Sequence, residues 1–430
     1  MMWRKAVPAA ATTGAGAAST AEPEYPPRLA GWRCAAALLV FSGMISACAA
    51  APNCAPAKPQ PQLEQFYAAL DALKNGQRGK PVAILHLGDS HIALDHMTGV
   101  LRSRWQAAFG DAGRGLAPGS PYPYYAPQAY AVTMTGPWDV ASSLKTGAAG
   151  PFGIEGFRVS SGKPEAEIAL ETQHDIGAVE IDAAGGPNSG SLLLTIGDAA
   201  PLRLSTRLSP AGLVRLRVPA AAAHRVRLSP AGDGPVRLLG WAMPSGKPGI
   251  RYDSYGISGV TADVVDRWDE AIVDEQIRRL SPDLIMLGYG TNEGFNDGID
   301  IEAYAARFSA LLARLKRLAP NASIAVLGSF DGARRAKPGA AQTCGDGWMT
   351  PPKLGPLREA QRQAAARLGA AFLDGSQVMG SACGIERWVN AAPPLAWPDH
   401  VHLRPEGARR AGAALWAELM GDYEARLCRR

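Results

Sequence analysis

The stretch Ile84-Leu-His-Leu-Gly-Asp-Ser-His-Ile92 constrains the fold most. An apolar run stops abruptly at Gly88-Asp89-Ser90, and a helical pattern follows over about 92–109. A buried strand that ends in a turn and opens a helix is one βα unit, the building block of helices packed on a parallel sheet. The turn also puts Ser90 where open α/β sheets gather their chemistry, at the C-terminal end of a strand. A backbone amide at a helix start favours negative charge. On this stretch alone, a plain helix N-cap is the competing reading of Ser90.

The same rhythm returns after Gly249. Strand-like segments at 250–255, 283–287, 324–327 and 371–373 alternate with helical patterns at 262–280, 304–318, 357–368 and 405–419. That alternation predicts a parallel α/β/α three-layer sandwich. Apolar residues at helical spacing add a helix over 62–73. Between 119 and 249 the texture differs: short β-branched or alternating runs are separated by Gly, Pro, Asn and Asp. They predict an all-β sandwich inserted after the first βα unit. The hexapeptide Arg-Leu-Ser-Pro-Ala-Gly occurs at 207–212 and 227–232, each copy reading as a strand end running into a turn. The glycine-rich 110–115 does not open a helix after a strand, so it is no phosphate loop.

A formal charge of +5 over 430 residues, without a dense Lys/Arg run, gives no nucleic-acid footprint. Arg28 and Arg33 precede an apolar run over 34–45, a positive and then hydrophobic region of signal-peptide length and too short to span a bilayer comfortably. The run ends Ile45-Ser46-Ala47-Cys48, which resembles the lipobox of bacterial lipoproteins. Cys48 would then be the lipidated first residue of the mature chain; ordinary signal cleavage near 47–51 is the alternative, and processing insensitive to globomycin would favour it. A Pro-rich linker follows, giving a leader over 1–48 and a tether over 49–61. Export implies an oxidising compartment, with Cys344 expected to pair with Cys383 and Cys54 with Cys428. No Cys or His spacing points to zinc or another metal.

Three later stretches join Ser90. Gly256-Ile-Ser-Gly259 lies at a strand end, with Gly256 competing with Gly259 as an anion-facing amide. Gly290-Thr-Asn292 follows a buried strand, where Asn292 can turn its amide into the same crevice or cap a helix. In Trp397-Pro-Asp399-His-Val-His402, Asp399 and His402 are three apart, a spacing at which a carboxylate orients an imidazole. His400 is the rival base. His86, His91 and His96 recur every five residues, which is no helix-face spacing, and His91 is expected to brace the site. Trp138 and Trp241 read as core before they read as sugar platforms.

Gly88-Asp-Ser90, Gly259, Gly290-Thr-Asn292 and Asp399-His-Val-His402 together resemble, in order, the blocks of the SGNH (GDSL-like) hydrolase family, over 81–110 and 250–420. His91 after the serine and the large β insertion resemble one branch, the bacterial peptidoglycan O-acetylesterases. The resemblance implies a flavodoxin-like hydrolase domain in two parts, 62–118 and 250–430. It also implies a carbohydrate-binding-module-like insertion over 119–249. Carried over, Ser90 is the nucleophile, His402 the general base and Asp399 its orienting acid. The amides of Ser90 and Gly259 and the side chain of Asn292 form the oxyanion hole. No cofactor is implied. The expected partner is an O-acetylated glycan, not nucleic acid, with a membrane reached only through the N-terminal lipid. The expected location is the periplasm or an outer-membrane anchor. Two alternatives stay open: a glycan O-acetyltransferase using the same triad, and a non-catalytic glycan-binding envelope lipoprotein.

Overall fold

Every residue of strand β1, Val82–Gly88, is buried, as a run apolar but for His86 suits a strand covered on both faces. The computed structural model describes residues 60–118, 128, 130–336, 344–345 and 347–428. Helix α1 (Glu64–Lys74) precedes β1; α2 (Ser90–Ala93), α3 (His96–Phe109) and β2 (Asp111–Pro118) follow it. A strand-rich stretch holds β3 (Tyr130–Thr135), β4 (Asp139–Ser142), β5 (Phe157–Ser161), β6 (Glu167–Gly185), β7 (Ser191–Ile196), β8 (Leu202–Ser205), β9 (Gly212–Pro230) and β10 (Val236–Pro244). Then come β11 (Ile250–Gly256), α4 (Glu270–Leu280), β12 (Leu284–Gly288), α5 (Thr291–Gly294), α6 (Ile301–Leu318) and β13 (Ser323–Gly328). The chain continues through β14 (Arg334–Arg335), β15 (Trp348–Met349), α7 (Leu354–Leu368), β16 (Ala371–Asp374), α8 (Gly375–Val378), α9 (Gly384–Val389) and α10 (Pro405–Cys428).

Strands β16-β13-β12-β1-β11-β2 lie side by side and all run parallel. Their side chains alternate between two cores. Val82 and Ile84 pack with α1, α3 and α10, whereas Leu85 and Leu87 pack with α4, α6 and α7. This is the three-layer α/β/α sandwich that the alternating pattern predicts. Chain order reverses about β1: β11 and β2 lie on one side, β12, β13 and β16 on the other. Such a reversal opens a crevice at the C-terminal strand ends, here those of β1, β11 and β12.

Three features depart from the sequence reading. The helix expected over 92–109 is broken, because Asp95 adopts the left-handed region (φ 51°) between α2 and α3. Its buried carboxylate accepts from Arg102 (2.9 Å), Arg114 (3.0 Å), Thr98 (2.7 Å) and the Gln128 amide (2.8 Å). These contacts offset a conformation that a non-glycine residue seldom adopts. The expected helix over 262–280 likewise begins as a short 3-10 turn, Ala262–Arg267, with α4 starting at Glu270. Third, the strand-rich stretch is not hydrogen-bonded as a sheet of its own. β10 pairs antiparallel with both β2 and β6, so the parallel sheet runs on without a break through β10-β6-β9-β7-β8. The stretch does keep an apolar core, with Trp241 inside it and Trp138 packed against it.

Polar side chains bind this stretch to the helical layer. Gln276 of α4 accepts from the Ile154 amide at 2.8 Å and donates to Asp182 of β6 at 3.0 Å. Asp182 is also gripped by both arms of Arg215, each at 2.6 Å. Buried polar groups paired this fully fix one relative placement of the two parts.

Candidate active site

Gly88, Gly256 and Gly288, the last residues of β1, β11 and β12, stand in register across the sheet. A Cβ on Gly256 would strike the backbone of Ala93 and, at 2.5 Å, the carbonyl of Asp89. Glycine therefore lets α2 sit hard on the strand ends. Asp89 caps α2, its carboxylate accepting from the His91 amide at 3.0 Å. Ser90 is the first residue of α2 and is nearly buried.

His402 comes from the loop before α10, and Ser90 Oγ lies 3.0 Å from its Nε2. His402 Nδ1 lies 2.8 Å from Asp399 Oδ2. The other carboxylate oxygen, Oδ1, accepts the amides of Val401 and His402 at 3.0 Å each. Burial opposes the charged Asp399, but the His402 side chain and these amides outweigh it and hold the carboxyl down at about 2. A carboxylate acceptor at Nδ1 keeps the proton there, so Nε2 presents its lone pair to the serine hydroxyl.

His400 turns away from Ser90. It has a left-handed backbone (φ 59°), its Nε2 meets Glu386 at 2.5 Å, and its ring stacks on Trp348. His91 lies under the triad instead, with Nδ1 3.2 Å from Asp89 Oδ1 and Nε2 3.2 Å from the Val401 carbonyl. Acceptors at both nitrogens suit an imidazolium, which donates twice. Burial lowers the His91 pKa, yet Asp89 and the Val401 carbonyl more than reverse this and the net shift is upward. His91 thus joins the Ser90 turn to the His402 loop. His86 is fully buried, with Nδ1 2.8 Å from the Tyr252 hydroxyl, and burial drives its pKa down to about 3, so it stays neutral. His96 opens α3.

Gly259 is an exposed turn residue at φ 81°, a region that suits glycine. Asn292 Nδ2 donates to the Val260 carbonyl at 2.7 Å. The next residue, Glu293, was not singled out by sequence. Its Oε1 accepts from the Ala262 amide at 2.7 Å, so adjacent residues of α5 hold the Gly259 loop at two points. No local pattern announces this contact, since the partners are 31 residues apart. Burial raises the Glu293 pKa to about 7, with Asp89 and Asp263 adding to the rise. A carboxyl raised on folding stabilises the fold below its unfolded value, about 4.3. That contribution is lost as pH climbs through about 7. Glu293→Gln, neutral at every pH, should therefore melt with a flatter pH dependence than the parent between pH 5 and 8, about these values. Thermal melts across that range check this; parallel curves would count against it.

Cys344 and Cys383 are joined in a disulfide with a Cα–Cα distance of 5.3 Å, next to α9, whose Glu386 holds His400. Cys48, Cys54 and the side chain of Cys428 lie outside the described residues, as do the 1–48 leader and nearly all of the linker.

Residues 231–410 match the GDSL-like lipase/acylhydrolase family. The match takes in Gly259, Asn292, Asp399 and His402 and begins beyond Ser90. Over that region the chain is similar to the GDSL-like (SGNH) hydrolases, a family of ester hydrolases. Among solved structures it is similar to a peptidoglycan O-acetylesterase, 23% identical with a TM-score of 0.70, over 84% of this chain and 96% of that one. A family two carbohydrate esterase from Cellvibrio japonicus is 12% identical with a TM-score of 0.29, over 69% of this chain and 99% of that one. No curated protein sequence matches the chain.

Proposed function

We propose that the protein is a serine acetylesterase acting on O-acetylated cell-wall glycan, with peptidoglycan as the polymer. Ser90 Oγ attacks the acetyl carbonyl while His402 Nε2 takes its proton. The oxyanion is received by the amides of Ser90 and Gly259 and by Asn292. An amide side chain carries two N–H donors, and the Val260 contact uses one of them. Collapse expels the sugar hydroxyl, protonated by His402. Water, activated by the same imidazole, then releases acetate from the acyl-enzyme. Asp399 keeps the tautomer right throughout.

The observation that carries this reading is the hydrogen-bonded chain from Ser90 to His402 (3.0 Å) and on to Asp399 (2.8 Å). The choice of acetyl group and glycan is supported by the likeness to the peptidoglycan O-acetylesterase over 84% of this chain. Export with lipidation at Cys48 is supported by the sequence of 28–48 alone.

The test is acetate release from O-acetylated peptidoglycan by the mature chain, beside an acyl-chain-length series and Ser90→Ala. Release with a steep preference for acetyl, lowered about 10⁶-fold by Ser90→Ala, is expected. Hydrolysis of long acyl esters alone would overturn the reading in favour of a lipase or thioesterase. Acetyl appearing on an added glycan acceptor would mark a transferase.

A further inference from the structure

We propose that Trp397 is the sugar-stacking platform of the catalytic crevice, taking a pyranose ring of the ester-bearing glycan on its open face. This rests on the glycan-esterase reading above. Among the described residues the exposed large hydrophobics are Val140, Leu144, Leu202 and Trp397. Trp397 is the aromatic one, and it alone sits on the loop that carries Asp399 and His402. The residue is 42% exposed.

The loop fixes the Trp397 backbone beside the triad. The Trp397 amide donates to the His402 carbonyl at 2.8 Å, and the Trp397 carbonyl accepts from the His400 amide at 3.0 Å. A bridge between Ala396 and Leu403 closes the base of the loop. One side of the ring is covered: the Arg404 guanidinium carbon lies 4.2 Å from the ring centroid, and Arg404 Nε donates to the Ala396 carbonyl at 3.3 Å. A cation over an indole is attracted by its π-cloud and restricts its rotation. The platform is therefore held in place before any ligand arrives, which lowers the entropic cost of binding.

The chemistry of the surface selects the occupant. One face of a pyranose presents C–H groups with slight positive charge, which suit the negative π-face of an indole. The ring's hydroxyls and carboxyl-bearing substituents then point outward, to solvent. A long acyl chain needs a contiguous apolar patch. None is present on this loop: Val140 is in β4, Leu202 in β8 and Leu144 just beyond β4. A single rigid indole, backed on one face by a cation and open on the other, fits a sugar ring.

The experiment compares the parent, Trp397→Ala and Trp397→Phe on O-acetylated peptidoglycan and on 4-nitrophenyl acetate. Trp397→Ala should lower the ratio of kcat/KM on polymer to kcat/KM on the small ester about tenfold, through KM, as loss of a stacked ring does elsewhere. Trp397→Phe should restore most of that ratio. An unchanged ratio overturns the proposal, as does an equal loss on both substrates, which would mark a purely structural tryptophan. Sedimentation of Ser90→Ala with the same polymer, with and without Trp397→Ala, separates the two readings. Trp397-dependent binding without acetate release by the parent would sink the esterase reading and keep the platform. Release without Trp397-dependent binding would do the reverse.

Discussion

Asp399→Asn should lower turnover of a chromogenic acetyl ester by about 10³–10⁴-fold while the chain still folds. The carboxylate has two jobs, and an amide can do only one of them well. Oδ1 accepts the Val401 and His402 amides, and Oδ2 accepts from His402 Nδ1. In the variant the single carbonyl oxygen stays with the two backbone donors, which cannot turn away. The new NH₂ group then faces Nδ1, and a donor there requires Nδ1 to give up its proton. The proton moves to Nε2, where it meets the hydroxyl it is meant to accept from. The loss falls on kcat, because the ester still binds. The pH dependence follows from the carboxyl being held at about 2. Its folded value lies below the unfolded one of about 3.9, so its contribution to stability is present above that pH and is lost as pH falls through about 2. Asp399 should thus leave no inflection in the parent's activity between pH 5 and 8, about these values. A kcat–pH profile of both proteins with matched circular dichroism checks this. More than about a tenth of parental activity in the variant would show that the tautomer argument is wrong.

Much of the site was legible because its chemistry is written locally. Asp399 and His402 are three residues apart on one turn, and Ser90 follows a run whose burial its own composition dictates. Neither needs a long-range contact to be recognised. Glu293 is the opposite case, since its value comes from Ala262 on another segment and from a burial that the sequence does not record. The break at Asp95 was hidden for the same reason: apolar spacing continues through it, and the arginines that hold it lie seven and nineteen residues away. In the strand-rich stretch, alternation revealed strands but not their partners. The two runs at 166–170 and 178–181 prove to belong to one long strand, β6 (Glu167–Gly185), and β10 joins the stretch to the parallel sheet through β2. The strand-rich stretch also lies between Ser90 and most of the region that the family match, 231–410, takes in. It separates the Ser90 turn in sequence from every other part of the site while the sheet keeps them adjacent in space.

That adjacency depends on the glycine row, and Gly256→Ala tests it. The variant should lose activity by at least about 100-fold, the cost that a misplacement of about 1 Å in a catalytic group can carry. It should also melt several degrees lower, in line with about 1–3 kcal/mol for overpacking. The added methyl would meet Ala93 nitrogen and Asp89 oxygen, and both are main chain. Main chain cannot rotate aside, so α2 must rise from the strand ends and carry Ser90 Oγ away from His402 Nε2. Gly288→Ala supplies the control within the same row. There a Cβ would meet Ile92 Cδ1 at 3.1 Å and Cγ1 at 3.3 Å, both side-chain atoms and both farther off than the main chain that Gly256→Ala would strike. A small shift of the Ile92 side chain can absorb those contacts, so activity should fall only a few-fold, within about 1 kcal/mol. The two substitutions are chemically identical and occupy matched positions, both in register with Gly88. Intrinsic glycine-to-alanine effects on the unfolded chain therefore cancel between them. Equal losses in the two variants would show that the seating of α2 is not what positions the serine. A large gap, in kcat and in melting temperature together, would show that the strand ends set the geometry of the nucleophile.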